Sequence, residues 1–87
     1  MDSREIAAEF KKYAPDFVIG SIADGGNDLL VYLTKNTLGN DARMDDQEYR
    51  YNKKTKKITP YRRTDDPGFA RRAERHILYI RDGLLDA

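Results

Sequence analysis

Apolar residues near the start of the chain recur at the spacing of an amphipathic helix. Three of them share one helical face, namely Ile6, Phe10 and Tyr13. The residues between them are mostly charged or small, so the opposite face would be solvated. Asp2 or Ser3 supplies an N-cap, and Pro15 is typical of a helix end. The pattern predicts a first helix that buries its apolar face.

Two apolar runs follow this helix, Phe17 to Ala23 and Leu29 to Leu33, and both are rich in β-forming residues. The segment between them, Asp24-Gly25-Gly26-Asn27, has the composition of a tight turn. Together these features predict a β-hairpin whose two strands lie in the middle of a sheet.

A second hairpin is predicted around a lysine-rich turn. Tyr49-Arg50-Tyr51 alternates, and Ile58-Thr59-Pro60-Tyr61 supplies the returning strand. Pro60 cannot donate a backbone hydrogen bond, so its strand belongs at a sheet edge. A turn of this length usually needs one left-handed residue, and we expect Lys56 to adopt the positive φ.

The last predicted element is a second amphipathic helix. Asp66-Pro67 is a preferred helix start, with aspartate as N-cap and proline at the first helical position. The apolar face is formed by Phe69, Ala73, Ile77 and Ile80. Gly83 has the character of the residue that follows a helix end.

Two short amphipathic helices and a meander of apolar strands bury their apolar surfaces by stacking in two layers. The predicted fold is α+β, a two-layer sandwich in the order α-β-β-β-β-α, with the N- and C-terminal helices packed on one face of an antiparallel meander sheet. The chain has 87 residues and no cysteine. We therefore expect residues 1–87 to form one small domain held together by packing alone.

The same composition predicts a soluble, cytoplasmic protein without a membrane partner. The first residues lack the basic and apolar segments of a signal peptide, and the longest apolar run is Leu29 to Leu33. The lack of cysteine suits a reducing compartment.

The formal net charge of +1 conceals an uneven distribution of charge. The fourteen residues from Arg50 to Arg63, here called the basic segment, hold seven basic side chains and no acidic one. Residues 1–49 hold ten acidic and five basic side chains. A local positive field of this kind attracts anionic partners whatever the fold.

The basic segment is the strongest candidate for a binding site. The predicted binding residues are Arg50, Lys53, Lys54, Lys56, Lys57, Tyr61, Arg62 and Arg63. The favoured interpretation is a non-enzymatic binding or regulatory domain that recognises an acidic protein surface through this basic hairpin. One alternative is nucleic-acid binding, with lysines along the phosphates and tyrosine rings stacked on bases. Another is a solvated turn whose lysines and proline protect an edge strand from pairing.

Two features weigh against nucleic-acid binding and favour the solvated turn with a protected edge strand. Tyr49 and Tyr51 are an even step apart, so both rings are expected to face the helices and not a nucleotide. The rest of the chain is acidic and would repel a polyanion. The hairpin edge that carries Pro60 also leaves β-augmentation or edge-to-edge dimerisation open, although the lysines count against it, and the oligomeric state is undetermined.

Candidate catalytic groups are few. His76 is the only histidine, and no serine lies near it in the sequence, so a structural role is favoured over proton transfer. Asp24-Gly25-Gly26-Asn27 lacks the spacing of an EF-hand or a phosphate loop. Asp65-Asp66 is explained by helix capping. We therefore predict no enzymatic activity, no cofactor and no small-molecule substrate.

One loop concentrates carboxylates that would suit weak binding of a hard cation. Its acidic residues are Asp41, Asp45, Asp46 and Glu48. A solvated loop is the favoured interpretation, because nothing in the spacing matches a known calcium site. We accordingly predict no metal site.

Overall fold

The structure is a computed structural model that describes residues 3–35 and 47–80. Its elements are α1 (Ser3–Tyr13), β1 (Phe17–Asp24), β2 (Asp28–Lys35), β3 (Gln47–Asn52), β4 (Ile58–Pro60), α2 (Pro67–Ala73) and β5 (Ile77–Ile80). The strands form one antiparallel sheet in the order β4-β3-β2-β1-β5. The predicted α+β class, the N- and C-terminal helices and both hairpins are confirmed. Asp2, the loop carboxylates Asp41, Asp45 and Asp46, and Gly83 lie outside the described residues.

The second helix is shorter than predicted. It ends at Ala73, and the next apolar run forms β5, which pairs with β1. The prediction that Ile77 and Ile80 extend the helical face is therefore wrong. Their spacing also fits a helix, but Ile77-Leu78-Tyr79-Ile80 is rich in residues that favour strands, and the free edge of β1 provides a partner. Pairing with β5 places β1 in the middle of the sheet, as the hairpin pattern predicted.

The turn between β1 and β2 depends on its two glycines. Gly26 has a φ of 111°, and its N–H donates to the Asp24 carboxylate over 2.9 Å. A Cβ at Gly25 would lie 2.3 Å from the Phe69 ring, so only glycine admits this close contact. The turn that the sequence predicted is therefore also a packing site for α2.

The larger core cluster lies between α1 and the sheet. Ile6 and Phe10 from α1 are buried, whereas Tyr13 is half-exposed. Phe10 packs with the rings of Tyr49 and Tyr51 at centroid distances of 5.9 and 6.1 Å. The expectation that both tyrosines face a helix is thereby confirmed.

The two helices cover opposite faces of the sheet and not a single face as predicted. In β2, Leu29 and Val31 belong to the cluster beneath α1, whereas Leu30 packs with Phe69 of α2. Successive strand side chains point to opposite faces, so these clusters lie on the two sides of the sheet. The physical reason is that the first hairpin is apolar on both faces and needs cover on both.

Candidate functional site

The turn between β3 and β4 is fixed by its own backbone and by Asn52. The Lys56 N–H donates to the Asn52 carbonyl over 2.7 Å, and the Asn52 N–H donates to the Lys57 carbonyl over 3.0 Å. The Asn52 side chain accepts from the N–H groups of Lys54 and Thr55 at 2.9 and 2.8 Å. Lys56 has a φ of 62°, which confirms the predicted left-handed residue. The turn therefore presents its lysines from a defined backbone.

Three lysines of this turn, Lys54, Lys56 and Lys57, are exposed and form no ion pair within the described ranges. We call them the tip lysines. Because these side chains are exposed to solvent, an external acidic group can approach them. Among the predicted binding residues, the tip lysines are the ones that lie together in one turn and have no ion-pair partner in the described ranges.

Lys53 stands in the same turn but has an internal partner. Its ammonium nitrogen lies 2.7 Å from the Asp24 carboxylate. The hydrogen bond from Lys53, supported by the Gly26 N–H, lowers the pKa of Asp24 below its ordinary value. Lys53 thus joins the two hairpin turns at one end of the sheet.

Arg50 is held against α2 and two carboxylates. Its guanidinium lies 2.7 Å from Asp28 and 3.5 Å from Asp66, and it stacks 4.1 Å from the centre of the Phe69 ring. Arg50 is a strand residue on the α2 side of the sheet, opposite the face that Tyr49 and Tyr51 occupy. Its charge is therefore largely used within the fold.

Tyr61 is a core residue. Its side chain is 8% exposed, its hydroxyl donates to the Asp66 carbonyl, and the same hydroxyl accepts from the Ala70 N–H at 3.2 Å. The ring packs edge-on against Phe69 at a centroid distance of 5.1 Å. Tyr61 therefore fastens the start of α2 to the sheet and offers no open ring for a ligand.

The two arginines after β4 lie away from the tip lysines. Arg63 forms a two-point ion pair with Glu48, at 2.9 Å in both contacts, and reaches Glu74 at 2.5 Å. The hydrogen bond to Glu48 raises the pKa of Arg63 well above its ordinary range. Arg62 is exposed but follows Pro60 at the other end of β3, roughly 17 Å from the turn by the rise of a strand. The basic segment is consequently not one continuous surface.

A second group of basic residues, which sequence reasoning missed, lies at the end of the sheet where the β1–β2 and β3–β4 turns meet. Arg72, Arg75 and His76 border a cleft of about 590 Å³ beside the Gly25-Gly26 turn. The other side of Gly26 borders a cleft with Lys54. We call the tip lysines together with Arg72, Arg75 and His76 the basic end. In the sequence, Arg72 and Arg75 have the spacing of the solvated face of a long helix. Because α2 ends at Ala73, both residues instead lie beside the Gly25-Gly26 turn.

The tyrosines of the basic segment are not available for stacking on a ligand. Tyr49, Tyr51 and Tyr61 are 8%, 4% and 8% exposed. Burial is the main cause that raises the pKa of Tyr49 and Tyr51 above the ordinary value of a phenol. The basic end therefore presents charge without an aromatic platform from these residues.

Candidate catalytic groups do not converge in the part of the chain that the structure describes. There, no group of three or more histidine or carboxylate side chains is placed to hold a metal ion. His76 lies exposed after α2, and its carbonyl accepts from the Asp24 N–H at 2.8 Å. Glu48 pairs with Arg63, as described above. Among the described helices, none combines the length and apolar character needed to cross a membrane.

Comparisons of this chain with protein families, curated proteins and solved structures find no match.

Proposed function

We propose that this protein is a non-enzymatic binding or regulatory domain that recognises an acidic surface on another protein. The observation that carries the proposal is the contrast between paired and unpaired basic residues in the basic segment. The tip lysines are exposed without an internal acidic partner in the described ranges, whereas Lys53, Arg50 and Arg63 are paired. Charges left unpaired on a fixed backbone speed encounter with an acidic partner and set its orientation.

The clustering of cations also supports this function. Arg72 and Arg75 stand across the Gly25-Gly26 turn from Lys54 and widen the positive surface. Arginine is suited to two-point contacts with carboxylates, whereas lysine acts as a point charge. An acidic protein segment that crosses the turn would contact both kinds of group.

Nucleic-acid binding is the alternative, and the burial of the tyrosines weighs against it. Single-strand binders combine a basic groove with aromatic rings on which the bases stack. The rings of Tyr49, Tyr51 and Tyr61 are taken up by the core. The remaining attraction to a nucleic acid is that of phosphates to a few lysines and arginines, which is weak and strongly salt-dependent.

The cysteine-free composition supports a reducing, cytoplasmic setting for this interaction. We infer no cofactor, metal or small-molecule substrate, since the proposed recognition requires only charge and shape.

A binding experiment with two defined probes tests the proposal. Fluorescence anisotropy would compare a labelled peptide of alternating glutamate and serine with a labelled single-stranded thymidine oligonucleotide, at about 50 and 200 mM salt. We expect the peptide to bind measurably, and the oligonucleotide to bind no tighter than about 10⁻⁴ M at physiological salt. If the three tip lysines alone contacted phosphates, the slope of log K against log salt would be about −2.

The matched variants are Lys54→Glu with Lys57→Glu at the tip and Lys11→Glu with Lys12→Glu on α1. Both change the net charge equally. Lys53 and Lys56 stay unchanged, because Lys53 pairs with Asp24 and Lys56 carries the positive φ. The tip variant should lose peptide binding, and the α1 variant should keep it. Micromolar oligonucleotide binding that only the tip variant loses would instead support the nucleic-acid alternative.

A further inference from the structure

The strand β5 forms one edge of the sheet and exposes large apolar side chains. Ile77, Leu78 and Tyr79 are 51%, 53% and 37% exposed. Within the described ranges, β5 pairs with β1 on one side only. The opposite edge strand, β4, contains Pro60 and follows Lys57, which are common protections of an edge against pairing. An apolar edge without such residues is a surface on which another strand can pair.

A register shift in β5 directs its side chains to both faces. Tyr79 lies opposite Ile22, which faces α1, and Ile77 lies opposite Ala23, which faces α2. Leu78 is the extra residue between these two pairs, and it borders clefts on both sides of the edge. A segment added alongside β5 would therefore find apolar contacts above and below the sheet.

The groups around Leu78 indicate the charge of the occupant. The cleft that it shares with the Gly25-Gly26 turn is lined by Arg72, Arg75 and His76 and by one carboxylate, that of Asp24. The cleft on the α1 side contains Lys53 and Lys56 together with Glu5 and Asp24, and Asp24 is already paired with Lys53. Cations thus outnumber free carboxylates next to an apolar edge. Apolar side chains flanked by glutamate or aspartate would match both features.

We propose that β5 is a docking edge for an extended segment of a partner protein in which acidic and apolar residues alternate, bound by strand addition. The charge of this occupant rests on the proposed recognition of an acidic protein. The edge itself rests on the exposure of Ile77, Leu78 and Tyr79. Of the tip lysines, Lys56 lines the cleft beside this edge, whereas Lys54 and Lys57 do not line the clefts that Leu78 borders.

The test uses the unmodified chain and a synthetic peptide, Glu-Val-Glu-Val-Glu-Val-Glu, with both ends blocked. Calorimetry should detect binding of this peptide. A peptide with lysine in place of glutamate, and one with proline in place of the central valine, should bind at least about tenfold more weakly. Backbone amides of β5 should exchange with solvent more slowly in the complex, because strand addition forms hydrogen bonds there.

Two variants distinguish binding at the β5 edge from non-specific binding to any exposed apolar side chain. Leu78→Ser should lower the affinity about tenfold, whereas Tyr13→Ser, which alters a similarly exposed side chain on α1, should leave it unchanged. Unchanged amide exchange in β5 on binding would overturn strand addition. A dimer of the free protein that Leu78→Ser dissociates would overturn the assignment to a partner protein and give the edge to a second copy.

The result also distinguishes this inference from the proposed function. If Leu78→Ser weakens the peptide but Lys54→Glu with Lys57→Glu does not, the docking edge stands and the tip site fails. If only the tip variant weakens it, the docking edge fails and the tip site stands.

Discussion

The basic residues of the basic segment include one group that is paired with carboxylates and another that is not. Arg50, Lys53 and Arg63 each lie within 3 Å of a carboxylate, whereas the tip lysines have no such partner among the described residues. The first group therefore contributes to the fold, and the second remains exposed, where we propose that it contacts an acidic partner. Neighbouring residues of the same charge thus have different roles, which are determined by what the fold places opposite them.

Within the paired group, Arg50 packs on the smaller core cluster, whereas the tip lysines are exposed. Arg50 stacks on Phe69, and Tyr61 packs against the same ring. The turn that carries the tip lysines is held by its backbone hydrogen bonds and by the side chains of Asn52 and Thr55. Substitutions in the paired group should thus change stability, and substitutions of the tip lysines should change binding.

The largest effect is expected at Phe69, against which Arg50 and Tyr61 pack. Phe69→Ala removes the ring that touches Arg50, Tyr61 and Gly25, and leaves a cavity. We expect the free energy of unfolding, measured in urea, to fall by about 3 to 5 kcal/mol. Ile77→Ala, at an exposed position, should cost less than about 1 kcal/mol. Equal losses in the two variants would mean that α2 is not docked on the sheet.

A smaller loss is expected from the Tyr61 hydroxyl. Tyr61→Phe keeps the ring but leaves the Asp66 carbonyl and the Ala70 N–H without this partner. The free energy of unfolding should fall by about 1 to 3 kcal/mol. Tyr79→Phe, on the exposed edge strand, should change it by no more than about 0.5 kcal/mol. No loss in Tyr61→Phe would show that the hydroxyl does not anchor α2.

At the tip, one substitution should stabilise the protein. Lys56→Gly relieves the cost of a left-handed side chain and should raise the free energy of unfolding by up to about 1 kcal/mol. Lys57→Gly is the control, because Lys57 has no positive φ and glycine there only adds freedom to the unfolded chain. A destabilised Lys56→Gly variant would show that the turn has a different conformation.

The smallest effect concerns the ion pair between Lys53 and Asp24. The lowered pKa of Asp24 means that its carboxylate stabilises the fold at neutral pH and that this contribution is lost as the pH falls through the folded pKa. Asp24→Asn should lower the free energy of unfolding by about 0.5 kcal/mol at pH 7, as for a largely exposed pair. The difference from the unmodified protein should shrink as the pH falls below the ordinary aspartate pKa of about 3.9 and disappear below the lowered pKa of folded Asp24.

The sequence predicted those parts of the fold that depend on local patterns. Four features follow from requirements of single residues: the turn around Gly25-Gly26, the edge position of Pro60, the cap at Asp66 and the left-handed Lys56. The strand β5 was missed because its apolar spacing also fits a helix, and only pairing with β1 decides between the two.

The candidate site was less predictable than the fold. Charge along the chain located the basic segment, but the ion partners of Arg50 and Arg63 come from distant positions, as the pairs with Asp28 and Glu48 illustrate. The burial of Tyr61 depends on the docking of α2, and the position of Arg72 and Arg75 beside the first turn depends on where α2 ends. These features are tertiary, so no local pattern indicates them.

The most direct test of the account is a residue-by-residue map of binding by nuclear magnetic resonance. The peptide of alternating glutamate and serine, without its fluorescent label, would be titrated into isotope-labelled protein. The account predicts that the amide signals of Lys54, Thr55, Lys56 and Lys57 shift with peptide concentration, while those of Arg50, Tyr61 and Arg63 stay in place. Shifts at Arg50 and Arg63 with an unmoved tip would contradict it, because the paired group would then be the binding site.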